Sequence, residues 1–213
     1  MTLKPIDSLD EEVDRYLRAL LPRGSRILLA ISGGPDSVAL AHILRSLPYD
    51  VRWMHINHQL RRSAASDERF VRDLARRWDV PLRVVRINVS QHRRRMRLGT
   101  EDAARRLRYQ ALEAEAEQRR CRAVLTGHQA DDQAETVLAH FLRGTGPAGL
   151  AGMPSARHLR PEGRTILVRP LLGVARGELM AYLRRNRLVY CTDPTNGNTR
   201  FTRNRLRIQT LPY

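Results

Sequence analysis

Apolar, β-rich runs take turns with helical patterns along most of this 213-residue chain. The runs fall at 27–31, 51–56, 82–89 and 123–125, with a further one at 165–168. Helical spacing occupies 36–47, 66–78, 100–119, 130–142 and 175–186, after an amphipathic opening segment that carries Val13, Leu17, Leu20 and Leu21. That order allows few folds. A strand that is apolar throughout has to be covered on both faces, and strands joined through helices run parallel. The expected fold is α/β, a doubly wound, mostly parallel sheet with helices on both faces, and ligands of such sheets bind beyond the carboxyl ends of the strands.

The first strand-to-helix junction reads Ser-Gly-Gly-Pro-Asp-Ser at 32–37. Gly33 and Gly34 lack a Cβ, so the backbone can take positive φ and bring N–H groups close to an anion. Ser32 and Ser37 add hydroxyls, and Pro35 suits a first helical turn. The helix dipole then points its positive end at a phosphate. Asp36 would be repelled by bare phosphate, so it is read as a holder of Mg²⁺ between carboxylate and nucleotide. No Gly-Lys-Ser/Thr loop occurs, and Lys4 is the only lysine, so phosphates have to be held by backbone, arginine and metal.

Two other segments carry chemistry. Thr126-Gly-His-Gln-Ala-Asp-Asp-Gln-Ala-Glu-Thr136 lies where a strand gives way to a helix, with Asp132 and Glu135 on one face and Asp131 a turn from Glu135. One of these carboxylates can bind Mg²⁺ while another holds a cationic co-substrate or accepts its proton. In Glu101-Asp-Ala-Ala-Arg-Arg-Leu-Arg-Tyr109, Arg105 and Arg108 fall on one helix face and make an anion clamp, suited to an α-phosphate or to a nucleic-acid backbone. His55 and His58 close a predicted strand, where alternation sends them to opposite faces and argues against a metal between them.

The chain holds 38 basic and 22 acidic residues, a net charge of +16. Such an excess points to a polyanionic partner, with nucleic acid foremost. Cys121 and Cys191 have neither metal-site nor disulfide spacing, which favours a reducing compartment and excludes a cysteine-bound zinc or iron–sulfur cluster within the chain. No apolar run approaches the roughly 20 residues of a membrane span, and the start has no signal-peptide character. A cytoplasmic protein without a membrane partner is expected. Residues 143–164 read as a Gly/Pro-rich loop, residues 191–213 as a basic C-terminal segment, and 91–97 as a basic run.

These motifs resemble those of the N-type ATP pyrophosphatases, the PP-loop superfamily, whose fold is adenine nucleotide alpha hydrolase-like. Within that superfamily the chain is similar to the tRNA(Ile)-lysidine synthetases. The similarity rests on the 32–37 turn, His55-Ile-Asn-His-Gln-Leu-Arg61 with Ser63, the 101–109 and 127–136 segments, Arg143-Gly-Thr-Gly-Pro-Ala-Gly-Leu-Ala-Gly-Met153, Arg169-Pro-Leu-Leu172, Asp193-Pro-Thr-Asn196 and Arg203-Asn-Arg-Leu-Arg207. In order and spacing they cover roughly residues 26 to 211.

The resemblance implies a ligase that joins free L-lysine to carbon 2 of the wobble cytidine of a CAU-anticodon isoleucine tRNA. ATP adenylates the carbonyl oxygen, and lysine then displaces AMP. By position, Ser32 to Ser37 would cradle the pyrophosphate, and Asp36 and Asp132 would position Mg²⁺ or the incoming lysine. Glu135 would recognise the lysine ammonium, although Asp132 and Glu135 can exchange roles. Arg105 or Arg108 would stabilise charge at the α-phosphate. Arg61, Arg143, Arg203 and Arg207 would meet tRNA phosphates. Gln59 stands where the family often has glycine, and Gln129 where a second histidine is frequent. The chain is expected to be a single catalytic domain, residues 1–213, without the further tRNA-binding domains usual in the family, and a homodimer is compatible with that reading. The alternatives are another PP-loop tRNA-modifying enzyme, such as a cytidine thiolase, and a non-catalytic ATP- and RNA-binding module.

Overall fold

The computed structural model describes residues 8–59, 64–89, 91, 93 and 99–192. Helix α1 (Leu9–Arg18) starts at Ser8, whose hydroxyl accepts the Glu11 N–H at 3.3 Å while the Glu11 carboxylate accepts the Ser8 N–H at 3.1 Å. This reciprocal cap fixes the helix start. Strands β1 (Arg26–Ala30), β2 (Asp50–Asn57), β3 (Leu82–Arg86), β4 (Ala123–Thr126), β5 (Ala156–His158) and β6 (Ile166–Val168) are separated by α2 (Pro35–Leu44), α3 (Ala64–Arg77), α4 (Thr100–Gln118), α5 (Ala130–Phe141) and the short α6 (Pro147–Leu150), and α7 (Arg176–Arg185) follows β6.

The six strands form one sheet in the order β3-β2-β1-β4-β6-β5. All pairings are parallel except that of β5 with β6. From β1 the chain winds outward through β2 and β3, and β4 then starts the other half on the opposite side of β1. The strand order therefore reverses between β1 and β4, which opens a crevice at their carboxyl ends.

Both faces are covered, as the unbroken apolar strands require. Ile27 and Leu29 join a core with Val13, Leu17, Val38, Leu40 and Leu179, whereas Leu28 faces the other way onto Met54, Leu112, Ala116, Val124 and Leu167. Helix α2 is buried on nearly every side, from Ser37 through Ala41 and again at Ile43 and Leu44. It cannot shift without disturbing the core, so the turn that precedes it is fixed from behind.

Two sequence expectations change. The strand expected at 82–89 ends at Arg86. The 143–164 stretch is not a structureless loop, since it contains α6 and β5. Gln133 pins it to α5, donating from Nε2 to Met153 O at 3.2 Å and accepting the Met153 N–H on Oε1 at 2.8 Å.

Candidate active site

The 32–37 turn lies at the carboxyl end of β1. Gly33 has φ +90°, and a Cβ there would stand 3.1 Å from Val71 Cγ2 and 3.3 Å from Phe70 Cδ1. Glycine is required on both counts. The Ser37 hydroxyl accepts the N–H groups of Ser32 at 3.3 Å and Gly33 at 3.2 Å and donates to Gly34 O at 2.9 Å, while Ser32 Oγ accepts the Gly34 N–H at 3.2 Å. The hydroxyls thus shape the turn from within. Helix α2 begins at Gly34 without a side-chain cap and with Pro35 in its first turn, so the positive end of its dipole lies at the turn, as anion binding requires.

The segment after β4 packs directly on this turn. A Cβ on Gly127 would lie 3.0 Å from both Asp36 C and Ser37 N and 3.1 Å from Asp36 O, all main-chain atoms. The glycine turn and the 126–135 segment therefore form two sides of one site. The cleft between them measures about 530 Å³, and its lining includes Ser32, Gly34, Asp36 and Ser37 on one side and Thr126, Gly127 and His128 on the other. Met54 and Ile56 supply an apolar stretch of wall. His128 is fixed by a 2.8 Å contact between Nδ1 and Thr126 Oγ1.

The carboxylates of α5 stand back from this wall. Asp132 Oδ2 accepts the Gln129 N–H at 3.0 Å, and Gln129 Oε1 accepts the Asp131 N–H at 2.8 Å, so Gln129 caps α5. Glu135 is 6% exposed. Asp131 keeps one buried oxygen without a hydrogen-bond partner among the described residues. None of the three belongs to the lining of the cleft.

The two arginines of the expected clamp part company. Arg108 lines the nucleotide-sized cleft, whereas Arg105 lines a shallow neighbouring depression with Asp102, Arg106, Tyr109, Gln110 and Arg157. Both guanidinium groups rest on the Tyr109 ring, at 5.6 Å for Arg105 and 5.5 Å for Arg108. Arg169, just past β6 and 2% exposed, donates to Pro154 O at 2.6 Å and reaches the Tyr109 hydroxyl at 3.5 Å. Burial lowers the pKa of Arg169. Burial alone would raise that of Tyr109, but Arg108, Arg169 and Arg105 outweigh it and bring the phenol below its ordinary value.

The third wall comes from the end of β2, which sequence reasoning undervalued. His55 and His58 both line the cleft, as do Met54, Ile56 and Asn57, because the cleft lies across the carboxyl end of β2 and meets both faces of it. His55 Nδ1 meets Ile31 O at 2.9 Å, and burial lowers its pKa. Asn57 donates to Glu68 at 3.0 Å, and Glu68, 4% exposed, also receives a two-pronged contact from Arg86 at 3.0 and 2.8 Å and hydrogen bonds from Arg72. Arg86 chiefly, opposed by burial and helped by Asn57 and Arg72, brings the Glu68 pKa to about 2. Asn57 Oδ1 accepts the Gln59 N–H at 3.0 Å, and Gln59 sits at φ +53°, in the left-handed region that favours glycine.

Arg143 is exposed, with Nε donating to Ala139 O at 2.9 Å. Arg61, Arg203 and Arg207 lie outside the described residues, as do Ser63 and the 193–196 motif. No three or more His, Cys, Asp or Glu among the described residues stand close enough to hold a metal. A Mg²⁺ bound through one or two carboxylates and substrate phosphates needs no such cage, and Asp36 beside the Ser32 and Ser37 hydroxyls fits that donor set. Cys121 precedes β4, at the opposite end of the sheet from Cys191, whose N–H donates to Gly33 O at 2.8 Å. Burial raises the Cys121 thiol to about 11. No helix among the described residues is long and apolar enough to cross a membrane.

A tRNA(Ile)-lysidine synthase of Symbiobacterium thermophilum is 41% identical over 212 residues, covering 97% of this chain and 43% of the relative. One from Thermosynechococcus vestitus is 41% identical over 197 residues, covering 91% of this chain and 54% of the relative. The chain thus spans about half the length of these curated relatives. Among solved structures, the U34-tRNA thiolase NcsA of Methanococcus maripaludis, described with its [4Fe-4S] cluster, superposes with a TM-score of 0.73 at 16% identity, over 87% of this chain and 65% of that one. At that identity the likeness concerns the fold. The ATP-binding PP-loop domain family matches residues 8–213, and the chain belongs to it.

Proposed function

We propose that the chain is the catalytic portion of a tRNA(Ile)-lysidine synthetase, which ligates L-lysine to carbon 2 of the wobble cytidine in a CAU-anticodon isoleucine tRNA. The observation that carries this reading is the seating of Gly127 on the Asp36–Ser37 main chain, which makes one cleft of the two segments the reaction needs. Identity of 41% to lysidine synthases along nearly the whole chain supports the choice of substrate.

A urea-like carbonyl is a poor electrophile. The oxygen at carbon 2 attacks the α-phosphate of ATP, the bond to the bridging oxygen breaks, and pyrophosphate leaves. The ε-amino group of lysine, having lost its ammonium proton to Asp132 or Glu135, then adds at carbon 2, releases a further proton to solvent, and AMP departs with the former carbonyl oxygen. The backbone and hydroxyls of Ser32, Gly33, Gly34, Pro35 and Ser37 hold the pyrophosphate at the start of α2. Arg108, on the cleft wall, meets charge developing at the α-phosphate, where a preorganised donor is most effective. Asp36, with Asp132 as a second candidate, would hold Mg²⁺, which would neutralise phosphate charge. Glu135 or Asp132 takes the lysine ammonium. His55, neutral at physiological pH by the direction of its shift, offers a hydrogen-bonding edge without repelling a cation.

The deciding assay is lysine-dependent formation of AMP and pyrophosphate with the isoleucine tRNA, followed by mass analysis of its nucleosides. A thiolated base, or turnover indifferent to lysine, overturns the assignment. The separation of Cys121 and Cys191 to opposite ends of the sheet weighs against thiolation by a cysteine pair of this chain.

A further inference from the structure

Arginines on helix α4 and its surroundings fall into two populations. Around its C-terminal half they are matched with acids: Arg119 and Arg83 meet Glu115 at 3.0 and 3.9 Å, and Arg160 bridges Glu113 and Glu117. Around its N-terminal half, Arg105, Arg106 and Arg157 have no ion pair with a carboxylate among the described residues. They surround Tyr109 in the depression beside the cleft, where Asp102 is the one acidic lining residue. The Arg105 and Arg157 guanidinium groups lie 5.6 and 5.4 Å from the Tyr109 ring centre. Arg157 is further fixed by donating to His158 O at 2.9 Å. An aromatic plate under the cations limits their side-chain freedom while leaving outward N–H groups for another acceptor. Arg169 adds a buried charge beneath, which nothing acidic among the described residues compensates.

We propose that Arg105, Arg106 and Arg157, arrayed around Tyr109, form a docking platform for phosphodiesters of a polynucleotide, distinct from the nucleotide cleft and joined to it where Arg108 meets the Tyr109 ring. This rests on the reading of tRNA as the substrate. A base reaching the cleft brings its neighbouring phosphates over this flank. Neither Arg106 nor Arg157 has a part in holding ATP. Guanidinium groups on a plate match phosphate oxygens in pairs and carry no base information, so the platform positions the strand without selecting its sequence.

The test compares the chain with an Arg106→Gln/Arg157→Gln variant. Binding of the isoleucine tRNA and of an unrelated tRNA is titrated between about 50 and 200 mM salt, alongside ATP binding. Each lost phosphate contact removes roughly 0.7 to 0.9 from the slope of log affinity against log salt. Two lost contacts lower it by about 1.5, so the variant's deficit shrinks about eightfold across that fourfold salt range. Both tRNAs are expected to lose equally, with ATP affinity unchanged. An unchanged slope beside a wild type that binds tRNA overturns the platform alone, as does a loss of ATP affinity. A wild type that binds no tRNA overturns the substrate reading and the platform with it. An Arg106→Lys/Arg157→Lys variant is expected to keep the slope within about 0.5 of wild type, because charge rather than shape sets counterion release. A slope that falls as far in this variant as with glutamine overturns the electrostatic account.

Discussion

Replacing Gly127 with alanine tests the contact on which the site is built. The added methyl carbon would sit 3.0 Å from Asp36 C and Ser37 N and 3.1 Å from Asp36 O. These are main-chain atoms at the start of a helix buried on nearly every side, so no side chain can swing away to make room. Relief requires one backbone to move by a few tenths of an ångström. Overpacking of this kind costs about 1 to 3 kcal/mol. If the fold absorbs the strain, the melting temperature falls by about 2 to 4 °C per kcal/mol for a domain of this size. If the phosphate turn moves instead, the same energy appears as a loss in ATP affinity of about 5- to 150-fold. Thermal unfolding with and without ATP, together with an ATP titration, separates the two routes. Gly173→Ala is the control, since its Cβ would meet nothing within 4 Å. A Gly127→Ala protein with wild-type melting temperature and wild-type ATP affinity refutes the shared cleft, wherever the sequence similarity points.

The remaining predictions concern the walls of the site. Asp36→Asn is expected to abolish lysine-dependent AMP formation while tRNA affinity, read by filter binding, stays within about twofold; wild-type turnover would show that the metal is misplaced. Arg108→Gln removes a charge-assisted contact of about 1.5 to 3 kcal/mol, so kcat/KM for ATP should fall roughly 10- to 150-fold, and an unchanged value removes Arg108 from the chemistry. Glu68 ionises more readily folded, near 2, than its ordinary 4.5, so its contribution is present above pH about 4.5 and is lost as pH falls toward 2. Acid unfolding of Glu68→Gln should accordingly be shallower in that window, and parallel curves would refute the assignment. Gln59→Gly relieves a left-handed residue worth about 1 to 2 kcal/mol at a chain-entropy cost of about 0.5 to 1 kcal/mol. Its melting temperature is expected to match or exceed wild type, and a drop of several degrees contradicts the strain.

Much of this architecture is written in local pattern. The parallel strands follow from apolar runs too continuous to have a wet face, and the Gly33–Gly34 pair marks the turn after β1 because glycine takes positive φ without cost. Strand β5 escaped notice for the opposite reason, since Ala-Arg-His carries no apolar signal and its place at the sheet edge is set by pairing with β6. Long-range contacts were also out of reach. That the 32–37 turn and the 126–135 segment share a cleft follows from both lying just beyond strand ends, but the particular contacts, Gly127 on Asp36 and Glu68 with Asn57, Arg72 and Arg86, do not. The two histidines illustrate how a sound rule fails at a boundary. Alternation separates side chains of one strand onto two faces, but a cleft lying across the strand's carboxyl end is lined from both, as the consecutive lining residues 54 to 58 show.

The divergence of Arg105 and Arg108 comes from helix geometry acting at the rim of the sheet. At roughly 100° per residue, Arg105, Arg106 and Tyr109 fall within about 100° of one another, while Arg108 stands about 60° to the far side of Arg105. On a helix surrounded by solvent that offset would leave the two arginines as one clamp. Helix α4 instead packs beside β1 and β4, so a small rotation decides whether a side chain enters the crevice or lies outside it. The Tyr109 ring sits where these directions separate and touches guanidinium groups on both sides. Tyr109 therefore stands between Arg108 on the cleft wall and Arg105 and Arg157 in the neighbouring depression.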